Sequence, residues 1–175
     1  MNHLAVVALN RGDHPRAARY AEESLALTRR TGDRYAANVA LSLLAQMAWA
    51  SDEHERAAGH WREALRLSYE LANKANSASS IQGLATVAGA RGELRRAARL
   101  LGAAEALLEA AGLVSYAYTT YASNEPHERA ASAAHEMLGD QAWTAAYDEG
   151  RAMTFDQAVA YALEADDEAL PASPA

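Results

Sequence analysis

Residues 41–67 read LSLLAQMAWASDEHERAAGHWREALRL, and their spacing decides the fold class. Leu41, Leu44, Ala45 and Ala48 recur at i, i+3, i+4 and i+7, the apolar stripe of an amphipathic helix. Ser51-Asp52-Glu53-His54 interrupts the stripe as a turn, and Asp52 with Glu55 has the form of a capping box for a following helix. On that helix Ala57, Ala58, Trp61, Ala64 and Leu65 make a second stripe, with Trp61 expected in the core. The paired alanines let the two helices approach closely. The stretch is therefore a helical hairpin, and one hairpin alone leaves its apolar face wet, so stacking is required.

The same hairpin recurs on either side at one constant offset. Leu4-Ala5, Leu44-Ala45 and Leu84-Ala85 coincide, as do Ala8, Ala48 and Ala88. Gly12, Asp52 and Gly92 follow at the turn, where glycine suits a left-handed backbone and aspartate is a tolerable stand-in. Arg16-Ala17-Ala18, Arg56-Ala57-Ala58 and Arg96-Ala97-Ala98 come next, and Leu27, Leu67 and Leu107 close the unit. Three ungapped copies result, at about residues 1–33, 34–73 and 74–112. The first begins inside its first helix, leaving Leu4, Val7 and Ala8 as a face expected to lack cover.

The order Leu-Ala, small residue, Gly, Ala, then a bulky site (Ala21, Trp61, Leu101) and a small one (Ser24, Ala64, Ala104) resembles the tetratricopeptide repeat. Here the unit is lengthened to a period of about 40 residues, as in MalT-like helical repeats of large bacterial regulators. The resemblance implies an all-α, right-handed superhelix of hairpins over residues 1–112, with extra helices after it. Ala21 is small for the bulky site, so packing of the first copy is the least defined.

After Gly112 the period is lost. Residues 113–123, with Tyr116, Tyr118 and Tyr121, read as a short extended piece or an ordered loop. Asn124-Glu125-Pro126 starts a helix, Gly139 ends it, Asp140 caps the next, and Gly150 ends that one. Thr154 and Gln157 form a capping box for a last helix bearing Ala158, Tyr161 and Ala162. Residues 1–165 are thus expected to form a single domain with capping helices at 124–165, and 166–175 a flexible acidic, proline-containing tail. Leu100–Leu107, Trp143, Glu149–Thr154 and Ala158–Leu163 resemble the last repeats of ATP-binding LuxR-type transcriptional regulators. That resemblance, over roughly residues 84–165, implies a sensor or interaction portion without the nucleotide-binding or helix-turn-helix modules, whose motifs the chain does not contain.

Composition narrows the function. No cysteine is present, which excludes disulfides, thiol catalysis and thiolate metal sites. Residues 1–112 hold 14 Arg/Lys and 12 Asp/Glu, while 113–175 hold 2 Arg and 11 Asp/Glu. An acidic chain of this kind repels phosphate backbones, so no direct nucleic-acid contact is expected. No apolar run reaches the ~20 residues of a membrane span, and Met1–Leu4 lacks a basic n-region, so a cytoplasmic protein is expected. His54-Glu55, His127-Glu128 and His135-Glu136 lack the second histidine of a zinc helix, holding Ala58, Ala131 and Gly139 instead. No metal, cofactor or enzyme activity is expected, and a helical enzyme ranks last.

Two surfaces remain as candidates. Asn38, Ser42, Gln46 and Trp49 make a stripe on one first helix, and Ser79, Gln82 and Thr86 continue it on the next. In the family this face lines a concave groove; uncharged hydrogen-bonding groups there suit a protein or peptide segment, or a small neutral ligand such as a sugar. Alternatively these residues merely fill the wet side of a helix. Arg91, Arg95, Arg96 and Arg99 form the second candidate, either a solvated face or a docking patch for an acidic partner, including the acidic third of another copy in a homodimer. The rival to a groove is a structural spacer or dimerisation module with no ligand.

Overall fold

The computed structural model describes residues 1–113 and 125–164. Among them the protein is all-α, with helices α1 (Asn2–Asn10), α2 (His14–Thr31), α3 (Arg34–Ala50), α4 (His54–Glu70), α5 (Lys74–Ala90), α6 (Leu94–Ala110), α7 (Glu125–Leu138), α8 (Asp140–Arg151) and α9 (Phe155–Leu163). From α1 to α6 each helix packs on the one before it. The expected conformation of 113–123 and the tail at 166–175 fall, but for Leu113, outside the described residues.

One closure recurs at the turns. Within the hairpins, Gly12, Asp52 and Gly92 have φ of 73°, 59° and 79°. Between them, Gly32, Ala72 and Gly112 have φ of 74°, 50° and 74°. After each, the next amide donates back to the preceding helix, as Asp13 N to Ala8 O (2.9 Å), Glu53 N to Ala48 O (2.9 Å) and Glu93 N to Ala88 O (2.9 Å). The second set repeats this with Asp33 to Thr28 (3.1 Å), Asn73 to Ser68 (2.9 Å) and Leu113 to Leu108 (3.0 Å). This is the six-to-one bond of a Schellman turn, which satisfies an orphan carbonyl and reverses the chain at once. Asp52 therefore occupies the left-handed position, and the Asp52–Glu55 capping box does not form; Glu53 precedes α4 without a side-chain cap. Asp13, Asp33 and Asn73 do cap, accepting from Arg16 N, Ala36 N and Asn76 N, and the Thr154–Gln157 box forms as read.

Packing follows the two stripes. Leu41, Leu44, Ala45 and Ala48 are buried, and so are Ala57, Ala58, Trp61, Ala64 and Leu65. A Cβ on Gly83 would lie 2.2 Å from Trp61 Cε2, so the indole rests on bare α5 backbone. The same offset from Ala21 lands on Leu43, and both are buried in one cluster.

The last three helices cover α4, α5 and α6. α8 crosses α6 at backbone contact: a Cβ on Gly102 would meet Tyr147 O at 2.1 Å, and one on Gly150 would meet Arg99 O at 2.0 Å. Gly150 is therefore not a terminator, since α8 runs through it to Arg151, and Gly139 rather than Asp140 is the residue before that helix. Around the crossing, Arg99 pairs with Glu149 (2.5 Å), and Arg151 with Glu109 (2.7 Å) and Glu105 (3.1 Å). α7 lies on α5 and α6, and α9 touches α4, α5 and α6. Tyr69 donates to Asp156 (3.0 Å) and Arg96 to Tyr161 O (3.0 Å), tying α9 down.

Two outcomes are expected in urea unfolding. Ala72→Gly relieves a left-handed alanine and raises stability by about 0.5–1 kcal/mol. Trp61→Ala costs about 3–5 kcal/mol, and adding Gly83→Leu recovers part of that loss, whereas Gly83→Leu alone is strongly destabilising.

Candidate functional site

Charge is sorted between the helices before any side chain is placed. From Tyr35 to Ala50 and from Ala75 to Ala90 there is no Asp, Glu, Lys or Arg, so α3 and α5 are neutral beyond their first residue. The charges sit on α2, α4 and α6. The uncharged stripe lies on α3 and α5.

The structure divides that stripe. Asn38 is buried, donates from Nδ2 to Ala64 O (2.6 Å) and accepts at Oδ1 from Asn76 Nδ2 (3.0 Å). It staples α3 to α4 and α5, and both ends of its amide have partners. Asn76 escaped the sequence reading because its offset from Asn38 does not match the repeat period. Ser42 and Ser79 are half-buried, with Ser42 Oγ donating to Asn38 O (3.0 Å). Gln46 is half-buried too, and its Oε1 has no hydrogen-bond partner among the described residues. Gln82 is only 5% exposed, and its Nε2 likewise has no partner among the described residues. Thr86 is buried, with Oγ1 donating to Gln82 O (3.0 Å). Trp49 stacks on His54 (4.4 Å between centroids) and leans on Trp61 (6.4 Å), joining the core's edge. Accessible polar surface is thus confined to Ser42, Gln46 and Ser79; Asn38, Gln82 and Thr86 are closed off.

The arginine candidates divide as well. Arg91 bonds Glu55 (Nε to Oε1, 3.1 Å), Arg99 bonds Glu149, and Arg96 bonds Tyr161 O while lying over that ring (4.9 Å). Three of the four arginines therefore hold α4, α8 and α9 in place, and Arg95 is exposed. Elsewhere Arg29–Glu63 (2.6 Å) and Arg56–Glu22 (3.5 Å) lace the first hairpin to the second, and Arg34–Glu70 ties α3 to α4 within the second. Exposed pairs of this kind contribute about 0–1 kcal/mol each, so they set register more than stability. Among the described residues no three His, Asp or Glu side chains gather as a metal site, and no helix is long and apolar enough to cross a membrane.

His60 lies within this lacing. Burial chiefly, and the Arg56 guanidinium next, hold its imidazole below the ordinary value of about 6.5, with Arg29 adding to the shift and Glu63 and Glu22 opposing it.

Compared with models of known protein families, with curated proteins and with solved structures, the chain matches none.

The His60 shift carries a pH dependence. Below pH 6.5 the unfolded chain binds a proton that the folded chain resists, so stability falls as pH drops through 6.5 and levels off below the folded value. His60→Gln is expected to shrink the difference in urea midpoint between pH 7.5 and pH 5.5; an undiminished difference would place the dependence in other groups.

Proposed function

We propose that the chain is a non-catalytic binding scaffold: a right-handed, tetratricopeptide-like stack of three hairpins whose neutral α3 and α5 face holds an extended, uncharged peptide segment. The six turn closures, recurring at one constant period within each set, support the repeat. One observation carries the binding role. Gln46 Oε1 and Gln82 Nε2, an acceptor and a donor on neighbouring stripes, are buried without partners among the described residues. An unmet buried polar atom costs about 1–3 kcal/mol, and once the two closed-off amides turn outward an extended peptide backbone offers both missing partners, a donor for the first and an acceptor for the second. A neutral occupant fits helices that carry no charge along the stripe. By its resemblance to LuxR-type regulators, the scaffold serves as the sensor or interaction portion of a bacterial transcriptional regulator.

Phage-displayed random peptides selected on the chain test this. Uncharged sequences are expected, and Ser42→Ala with Gln46→Ala weakens their binding about tenfold, equal to about 1.4 kcal/mol. Gln82→Met removes the orphan amide, so it raises the melting temperature of the free protein while weakening the peptide. Peptides indifferent to all three changes, or acidic peptides displaced by Arg95→Glu, would overturn the groove. Stabilisation by Gln82→Met with no peptide selected would leave a spacer.

A further inference from the structure

The repeat supplies its own reference for how open the neutral face would be without added helices. Ser42 and Gln46 on α3 are half-buried, whereas their counterparts one repeat later, Gln82 and Thr86 on α5, are 5% and 4% exposed. The two helices are otherwise packed alike, α3 between α2 and α4 and α5 between α4 and α6. What α5 has in addition is α7 and α9. α9 meets α5 where Ala162 shares a small cavity with Leu84, Val87 and Ala88. Leu84 stands two residues beyond Gln82, on the opposite side of the helix. Among the described helices, that leaves α7 to cover Gln82 and Thr86.

α7 is held less firmly than its neighbours. Over residues 131–138, Ala131, Ala134, His135 and Leu138 recur at i, i+3, i+4 and i+7 and are buried or half-buried, while Glu136 and Met137 are exposed. That inward strip carries no Asp, Glu, Lys or Arg, and two of its four side chains are alanine. α8 is tied to α6 by the pairs of Arg99 and Arg151, and α9 is tied down by Tyr69 and Arg96. Over 131–138, by contrast, no hydrogen bond or ion pair joins α7 to α5 or α6 among the described residues. His135 stacks on Trp143 of α8 (4.9 Å between centroids), which pins the carboxy-terminal end alone. Gly139 follows with φ 83°, a position where rotation of α7 strains the backbone little.

We propose that α7 is a cover, docked in cis over the α5 half of the neutral face, which it closes to peptide until it swings away about Gly139. The proposal rests on the peptide-binding reading of that face and adds its regulation. Small uncharged side chains pack on an uncharged helix, so departure of α7 exposes little apolar surface and leaves no buried ion behind. Departure also returns water to Gln82 Nε2, which has no partner among the described residues while the cover is shut. Peptide and α7 therefore compete for α5, and the open fraction of molecules scales the apparent affinity.

Thiol accessibility tests the cover in the full chain, which has no cysteine of its own. Thr86→Cys should react with a maleimide at least about tenfold more slowly than Ser42→Cys, since it waits on local opening. Ala134→Glu puts a carboxylate into the inward strip and should raise the Thr86→Cys rate about tenfold, leaving that of Ser42→Cys unchanged. Selected peptides should bind Ala134→Glu about tenfold more tightly than the parent chain. Should that variant fail to fold, Thr86→Cys labelling in urea below the unfolding transition serves instead. Opening of α7 alone gives a shallow dependence on urea, and unfolding of the stack a steep one. Thr86→Cys as reactive as Ser42→Cys in the parent chain, a rate unmoved by Ala134→Glu, both sites accelerated together, or a steep urea dependence would each overturn the cover. Equal peptide affinity in both proteins would overturn the competition. Labelling as expected with no peptide bound by either protein keeps the cover and sinks the peptide-binding reading instead.

Discussion

Everything in this molecule depends on the left-handed residue that ends six of its helices. At each of these turns one backbone position with φ between 50° and 79° lets the next amide reach back to the helix just finished. The chain then has one way to continue, folded back along that helix at a distance set by alanines. Four of the six positions are glycine, where the conformation is nearly free of strain. Asp52 and Ala72 accept the same geometry at a steric cost, which indicates that packing on both sides imposes the turn.

With the turns set, the remaining variables are side-chain volume and charge. Volume is matched across hairpins where Trp61 rests on Gly83. Backbone contact at Gly102 and Gly150 brings α8 onto α6 more closely than any side chain would allow, and the ion pairs of Arg99 and Arg151 stand around that crossing. Charge is sorted by layer. The neutral helices α3 and α5 carry two of the unpartnered side-chain amide atoms among the described residues, Gln46 Oε1 and Gln82 Nε2, and the charged helices α2, α4 and α6 lace successive units together. A surface rich in arginine is thus mostly occupied with its own chain.

Local signals were legible in proportion to how little they depend on distant partners. The helices at 125–138 and 155–163, the Thr154 box, the turn at Gly92 and the burial of Trp61 follow from spacing and backbone preference. The turns at Gly32, Ala72 and Gly112 carry the same period and could have been read the same way, as could the lack of charge along α3 and α5. Gly150 misled because a glycine in a helix has the same letter whether it ends the helix or admits a neighbour's backbone. The Asp52–Glu55 pair misled because the left-handed turn takes Asp52 out of the cap position.

The sequence by itself determined that the chain is a succession of amphipathic helices, where each turn falls, and which stripe of each helix is apolar. Those are properties of a single helix in water, where periodicity reports which side is wet. Tertiary structure alone decided which polar residues stay accessible, burying Asn38, Gln82 and Thr86 while leaving Ser42, Gln46 and Ser79 partly open. It also decided that three of the four clustered arginines bind partners elsewhere in the chain. Accessibility is a property of what lies opposite, and a neighbour from a distant part of the chain leaves no mark on the local spacing of the helix it covers.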